Sequence, residues 1–259
     1  MTPDAPLQQS ELFAKAMSLL GRPPERFENT LILRRRFFPT LASRPQLSGD
    51  GLKQLARHGV RLINAERPQD APALRAAGFR QIMTAAHIAE LDLAQPPDAL
   101  RAAMHGKWRN RLVAAQAKHE HSVSHCAFEP SRDAWLLKAE AAQQKRRRYR
   151  ALPPALTLAM SQAAPDALRI FTCCDAAMLF VLHGRRASYH IGFSGPQGRA
   201  ASAHNRLLDA AMQTLPAFGI RWLELGTVDT EHSAGLARFK LGSGAQVRTL
   251  GGTWLRALP

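Results

Sequence analysis

The clearest alternation of apolar and polar positions lies in the last third of the chain. From Leu168 onward, LRIFTCC, AAMLFVLHG and RASYHIGFSG are three apolar, β-rich runs, parted only by Asp175 and by Gly184-Arg185-Arg186. Connections that short join antiparallel strands, so the pattern predicts a meander. In NRLLDAAMQTL, residues Leu207, Leu208, Ala211 and Leu215 recur at helical spacing and mark a helix lying on that sheet. IRWLELG then predicts a buried strand, SAGLARFKLGSG a short helix closed by glycines, and AQVRTLGGTWLRAL a final hairpin turning at Gly251-Gly252.

Earlier in the chain the pattern is shorter in period. Residues 30–38 (TLILRRRFF) predict a strand running into a basic turn at Pro39; residues 51–58 a short helix; VRLIN a second strand. Asp70 is placed to cap a helix over residues 71–77 that ends at Gly78, and FRQIMTAAHIAELDL carries one or two strands before Pro96-Pro97. Beyond that break, Leu100, Met104, Trp108, Leu112 and Ala115 form one helical stripe, with Asp98 as its cap and Gly106 as a weak point at its middle. A strand over HEHSVSHCAF and a helix from Ser131 to KRRRYR, whose cations suit the helix dipole, complete the chain. The elements alternate as in an α/β protein, a mixed sheet with flanking helices, and Pro96-Pro97 divides a smaller unit over residues 1–97 from a larger one over 98–259.

At 259 residues with 46% hydrophobic and 21% charged positions, the chain is long enough for an ordinary core, which excludes a disordered or fibrous protein. Its formal charge of +15 rests on 35 Lys and Arg, of which only seven are lysines. A field of that sign attracts phosphates, nucleic acid, a nucleotide-bearing cofactor or an acidic membrane face without choosing among them. The start, MTPDAPLQQSELFAKAM, lacks a basic n-region, and no run approaches the roughly 20 apolar residues of a membrane span, so a soluble cytoplasmic protein is expected. Cys126, Cys173 and Cys174 make no C-x-x-C and support neither a disulfide framework nor a cysteine zinc site; Cys173 and Cys174 read as thiols on opposite sides of one strand. His119, His121 and His125 share parity on the predicted strand, but that spacing does not supply a tetrahedral site, and no metal is expected.

The C-terminal residues carry a resemblance. Three strands, a glycine-containing turn, a helix, a strand, a short helix and a hairpin resemble the C-terminal part of the GNAT acyltransferase superfamily. YHIGFSG, GIRWLELG and above all GLARFKLGSGAQV, with Gly235, Leu236, Phe239, Lys240, Gly242 and Gly244, resemble its FemAB-like branch. KWRNRLVAAQAKH is similar to the Arg-containing helix that opens that branch's second acyltransferase module. The resemblance spans roughly residues 30 to 255 and implies a GNAT-type fold: one complete C-terminal module preceded by an abbreviated GNAT-like one.

The resemblance also implies acyl transfer to a primary amine by direct attack. Its donor turn, (Gln/Arg)-x-x-Gly-x-(Gly/Ala), corresponds to Gly195-Pro-Gln-Gly198-Arg199-Ala200 after Ser194, with Gly195 where Gln or Arg would stand. Free amides at such a turn can hold a pyrophosphate, and Arg199 can add a charge-assisted contact. Lys240 is implied as the group that binds donor phosphate or stabilises the charge developing on the acyl carbonyl, as an accessible lysine on its short helix. His190, Tyr189 and Glu224 are candidates to accept the amine's proton. In a regular strand Tyr189 and His190 point to opposite faces, so only one can meet a substrate without a bulge. Lys107, Arg109 and Arg111 lie off the apolar stripe and are available to an anionic substrate, while Phe239 lines the site or joins the core. The implied donor is acyl-CoA. Aminoacyl-tRNA, used by one FemAB-like subclass to build peptidoglycan precursors or to modify peptides and small amines, is the alternative, for which the basic run over residues 145–150 would be useful. A non-catalytic RNA-binding module is the third reading, in which only the arginines matter.

Overall fold

The computed structural model describes residues 4–117, 122–149 and 151–257. The first helix, α1 (Glu11–Leu19), starts where the Ser10 hydroxyl accepts from the Phe13 amide. Strands β1 (Glu25–Phe27), β2 (Thr30–Arg35) and β3 (Phe38–Ser43) follow, and the turn falls at Arg36-Phe37 with Pro39 already inside β3. The chain then runs through α2 (Asp50–Arg57), β4 (Leu62–Ala65), α3 (Ala71–Ala76), β5 (Arg80–Met83) and β6 (His87–Asp92). Next come α4 (Pro97–Ala103), α5 (Gly106–Ala117), β7 (Ser124–Ala127), α6 (Pro130–Arg147) and α7 (Pro154–Ala163). The last third holds β8 (Leu168–Cys173), β9 (Ala176–His183), β10 (Arg186–Ser194), α8 (Pro196–Ala200), α9 (Ala203–Thr214), β11 (Trp222–Thr227), α10 (Ala234–Gly242), β12 (Gln246–Thr249) and β13 (Gly252–Leu255).

Two mixed sheets result, one of six strands in the order β1-β2-β3-β4-β13-β5 and one of seven in the order β12-β6-β11-β10-β9-β8-β7. The expected meander is present, with β8, β9 and β10 antiparallel in sequence. The expected terminal hairpin is not. At Gly251-Gly252 the chain leaves one sheet for the other: β12 pairs with β6, whereas β13 inserts between β4 and β5. Gly251 permits this because a Cβ there would lie 2.4 Å from the Arg67 carbonyl oxygen, and Gly252 adopts φ +81°. Sheet membership therefore does not divide at Pro96-Pro97, since β6 of the first part lies in the larger sheet and β13 of the last part completes the smaller.

The seven-stranded sheet is covered on both faces. Leu207, Leu208, Ala211 and Leu215 of and after α9 are buried against Phe171, Phe180 and Leu223, together with Trp108 and Leu112 of α5. The other face packs Ile170, Leu179 and Val181 against α1, α6 and α7. The smaller sheet builds its own core from Ile32, Leu55, Ile63, Leu74 and Trp254. The predicted stripe keeps Met104, Trp108, Leu112 and Ala115 buried, but the helix breaks at Met104, so Asp98 lies inside α4 and Gly106 begins α5. Asp70 and Ser131 do not cap either, the first making no capping bond and the second standing within α6.

Candidate active site

Strands β10 and β11 run parallel but pair over only three positions, Arg186 with Trp222, Ala187 with Leu223 and Ser188 with Glu224. Beyond these, β10 continues to Ser194 along β9 and β11 to Thr227 along β6 without pairing to each other, so the sheet opens as a wedge. Both walls are bulged at the fork, β10 at His190 and β11 between Glu224 and Gly226. A bulge locally re-aims side chains and raises twist, which suits a point where two strands part.

Lys240 on α10 reaches this wedge. Its ammonium donates to the Thr227 carbonyl at 2.8 Å, at the open end of β11. Gly226 takes φ +79°, and a Cβ there would be 3.6 Å from Nζ. Contrary to the expectation of an accessible lysine, Lys240 is only 5% exposed. Burial pulls its pKa down to about 8, against the opposing pull of the Glu224 carboxylate. It is therefore a desolvated, mostly protonated ammonium at neutral pH. The helix that carries it is fixed from behind: the Phe239 ring lies 6.0 Å from those of both Trp108 and His204, and Gly242 lets α10 approach α5 so closely that a Cβ would meet Trp108 at 2.8 Å. Gly242 and Gly244 thus serve helix contacts with α5 and Ala103, and Phe239 is part of the packing.

None of the three candidate proton acceptors is free to act as a base: two are bonded elsewhere and the third is a buried phenol. Tyr189 packs on Phe180 at 5.8 Å between centroids, its phenol lies over Gly192, and burial raises its pKa. His190, in the bulge, turns to the opposite face and bonds the Thr157 hydroxyl of α7 at 2.7 Å; burial lowers its pKa to about 4, so it is neutral and a poor base. Glu224 accepts from Arg44 at 2.9 Å through both oxygens and from Arg186 at 3.4 Å.

Those contacts belong to a closed ring of six charges, of which Arg44, Glu66, Glu90 and Arg186 are buried and Glu224 and Arg248 partly buried. Arg44 pairs Glu66 at 2.6 Å, Glu66 pairs Arg248 at 2.8 Å, Arg248 pairs Glu90 at 2.6 Å, Glu90 pairs Arg186, and Arg186 and Arg44 share Glu224. Sequence reasoning missed it, although Glu90 in I-A-E-L and Glu224 in W-L-E-L are carboxylates inside apolar strands, which itself calls for partners. Burial opposes the charge on Arg44, yet Glu224 and Glu66 together hold its pKa above the ordinary value. For Glu90, burial is outweighed by Arg248 and Arg186, and the carboxyl stays below its usual range.

At the turn after β10 the amides of Gln197 and Gly198 are not free. Both donate to the carboxylate of Asp175, which reaches across from the β8–β9 turn. Gly195 and Gly198 are where they are because a Cβ would collide with that carboxylate, at 2.0 and 2.9 Å. Arg199 donates back to the Ser194 carbonyl, and Ala200 is exposed at the end of α8. Cys174 lies in that same β8–β9 turn at φ +55°, not in the strand, with its sulfur 3.7 Å from that of Cys173. Lys107 and Arg111 are exposed on α5 and Arg109 is partly covered, outside the buried stripe of Trp108, Leu112 and Ala115. Of the histidines, His119 and His121 lie outside the described residues and His125 stacks on Phe171 at 5.2 Å. Among the described residues no group of three or more ligating side chains gathers.

No family profile and no curated protein matches the sequence. Solved structures do match. FemX superposes with a TM-score of 0.75 at 13% identity, covering 99% of this chain and 94% of its own. L-PGS from Bacillus licheniformis gives 0.63 at 13%, covering 98% and 87%. The C-terminal domain of a proposed lysylphosphatidylglycerol synthetase from Agrobacterium fabrum gives 0.61 at 14%, covering 97% and 89%. Near-complete coverage in both directions, together with two mixed sheets and a wedge between parallel strands, makes this a GNAT-type fold shared with FemX.

Proposed function

We propose that the protein is an acyltransferase that passes an acyl or aminoacyl group to a primary amine within the wedge between β10 and β11. The observation that carries this reading is Lys240, a buried ammonium fixed at the open end of β11 where the sheet parts. In the reaction the amine nitrogen attacks the acyl carbonyl and a C–N bond forms, while the carbonyl electrons move onto oxygen. The Lys240 ammonium, protonated below its pKa of about 8, stabilises that oxyanion in a site from which water is partly excluded. The intermediate collapses, the bond to the leaving oxygen or sulfur breaks, and that atom takes the proton the amine gives up. With His190 and Glu224 bonded to other partners and burial keeping the Tyr189 phenol protonated, the proton passes to the leaving group or to solvent and not through a protein base.

One observation favours aminoacyl-tRNA over acyl-CoA as donor. The amides that would cradle a CoA pyrophosphate already hold the Asp175 carboxylate, and a second anion beside it would be repelled. An aminoacyl ester needs no pyrophosphate grip, and the charge of +15 suits a polyanionic carrier. The name of the Agrobacterium neighbour describes a product with a lysyl group on a lipid, which is aminoacyl chemistry. The test pairs thermal stabilisation by CoA with retention of total tRNA at two salt concentrations. No stabilisation by CoA and salt-sensitive tRNA retention are expected; stabilisation by CoA with negligible tRNA retention would return the donor to acyl-CoA. Turnover with a labelled aminoacyl-tRNA and a screen of amines then tests catalysis itself, and its absence with every donor leaves the RNA-binding reading.

A further inference from the structure

The β2–β3 turn presents two phenyl rings to solvent that the fold does not use. Phe37 is 88% exposed and Phe38 67%, adjacent at a two-residue turn. Phe37 also adopts φ 69°, a left-handed conformation that bulky residues rarely take and that glycine or asparagine would fill without strain. A ring at this position therefore costs the fold stability and returns no packing. Its surroundings are cationic. Arg34 is bound to Glu25, whereas among the described residues neither Arg35 nor Arg36 forms an ion pair. The Arg36 guanidinium lies 4.9 Å from the centre of the Phe37 ring.

We propose that this turn docks the protein on an anionic lipid bilayer, with Phe37 and Phe38 entering the boundary between headgroups and acyl chains and Arg35 and Arg36 pairing with lipid phosphates. Aromatic side chains are favoured at that boundary, and each nearby arginine adds electrostatic attraction to an acidic leaflet. A nucleic acid is the other polyanion with this chemistry. It would read the rings by stacking on their faces, one of which Arg36 already covers on Phe37, whereas entry into the headgroup boundary needs only exposed rings beside cations, which this turn supplies. The turn sits at the far end of β3 from Arg44, about 20 Å away at the usual rise per strand residue, so docking there leaves the wedge unobstructed. This inference does not depend on which donor the protein uses.

Cosedimentation of the full chain with vesicles tests it, using phosphatidylcholine alone and phosphatidylcholine mixed in equal parts with phosphatidylglycerol. The wild type should bind the mixed vesicles, less so as salt rises, and bind the neutral ones weakly. The double variant F37S/F38S should lose at least tenfold in apparent affinity, each ring being worth that order of transfer free energy. R35A and R36A should each lose roughly fivefold on mixed vesicles only. All four side chains are exposed, so melting temperatures should hold, and F37G, which relieves the left-handed strain, should melt no lower than wild type. Equal binding to neutral vesicles, or mixed-vesicle binding untouched by F37S/F38S, overturns the proposal. So does a loss of tRNA retention in F37S/F38S with vesicle binding unchanged, which would make the turn a nucleic-acid surface.

Discussion

At the residue scale, Lys240 joins a stability cost to a chemical use. Its pKa in the folded chain is about 8 against 10.5 for the free side chain, so the unfolded chain holds the proton more tightly. Below pH 8 the penalty is present in full, about 3 kcal/mol from the shift, and it fades as pH climbs toward 10.5 because the folded protein then carries a neutral amine. Replacing Lys240 by Met removes the penalty but leaves the Thr227 carbonyl without its donor, a loss of about 1–3 kcal/mol. K240M should therefore abolish transfer while unfolding in urea at pH 7 at no lower midpoint than wild type; a loss of several kcal/mol would mean that the ammonium is structural. The Lys240-dependent part of the rate should fall as pH rises through about 8, and K240R, which stays charged, should shift that fall upward if it retains activity. Asp175 invites a second test at this scale. D175A removes the acceptor of two backbone amides and should cost about 2 kcal/mol, seen as a lower urea midpoint with unchanged slope.

Elements show where local pattern was a sufficient guide and where it was not. The β8–β10 meander was readable because its turns are short and its strands apolar, both local properties. The FKLG helix was placed as expected, although its lysine is buried, since periodicity says which residues share a face and not which neighbour will cover them. The parting of β12 and β13 could not be read, because Gly-Gly between two strand-like runs looks like a hairpin turn whether the strands fold back together or diverge. What separates the cases is the pair of distant partners, β6 and β4, that each strand finds. The Asp175 contact escaped for the same reason, being made across 22 and 23 residues of chain. The helix α10 offers a direct test of how packing positions the site. In G242A the added methyl would sit 2.8 Å from Trp108, forcing α10 away from α5. We expect a destabilisation of about 1–3 kcal/mol by urea titration, and a fall in kcat exceeding any change in KM, because Phe239 and Lys240 move with the helix. Unaltered kcat would show that α5 does not set the position of Lys240.

Across the whole molecule the two sheets are joined by chain crossing and by charge. β6 and β13 each belong to the sheet that most of their own part of the chain does not form, so neither sheet can complete its strand order alone. The ring of Arg44, Glu66, Arg248, Glu90, Arg186 and Glu224 lies between them, with Arg44 and Glu66 brought by the smaller sheet and the other four by the larger. Three positive and three negative groups balance, and each charge has partners on both sides. Such a ring is not in itself a large source of stability, because desolvation offsets much of the attraction, but removing one member strands its neighbours. R44M should accordingly cost about 3–5 kcal/mol, and E224Q should leave Arg44 with less compensation and cost a similar order. Because the two touch, the double variant R44M/E224Q should cost less than the sum of the single changes by about 0.5–3 kcal/mol. That cycle, measured by urea unfolding followed by both tryptophan fluorescence and far-ultraviolet circular dichroism, also reports on the linkage of the sheets. Coincident transitions for wild type are expected, since Trp254 sits in the small-sheet core and Trp108 beside the large sheet. Additive costs would show that Arg44 and Glu224 are not coupled, and separate transitions in the wild type would show that crossing strands and ring do not unite the two sheets into one folding unit.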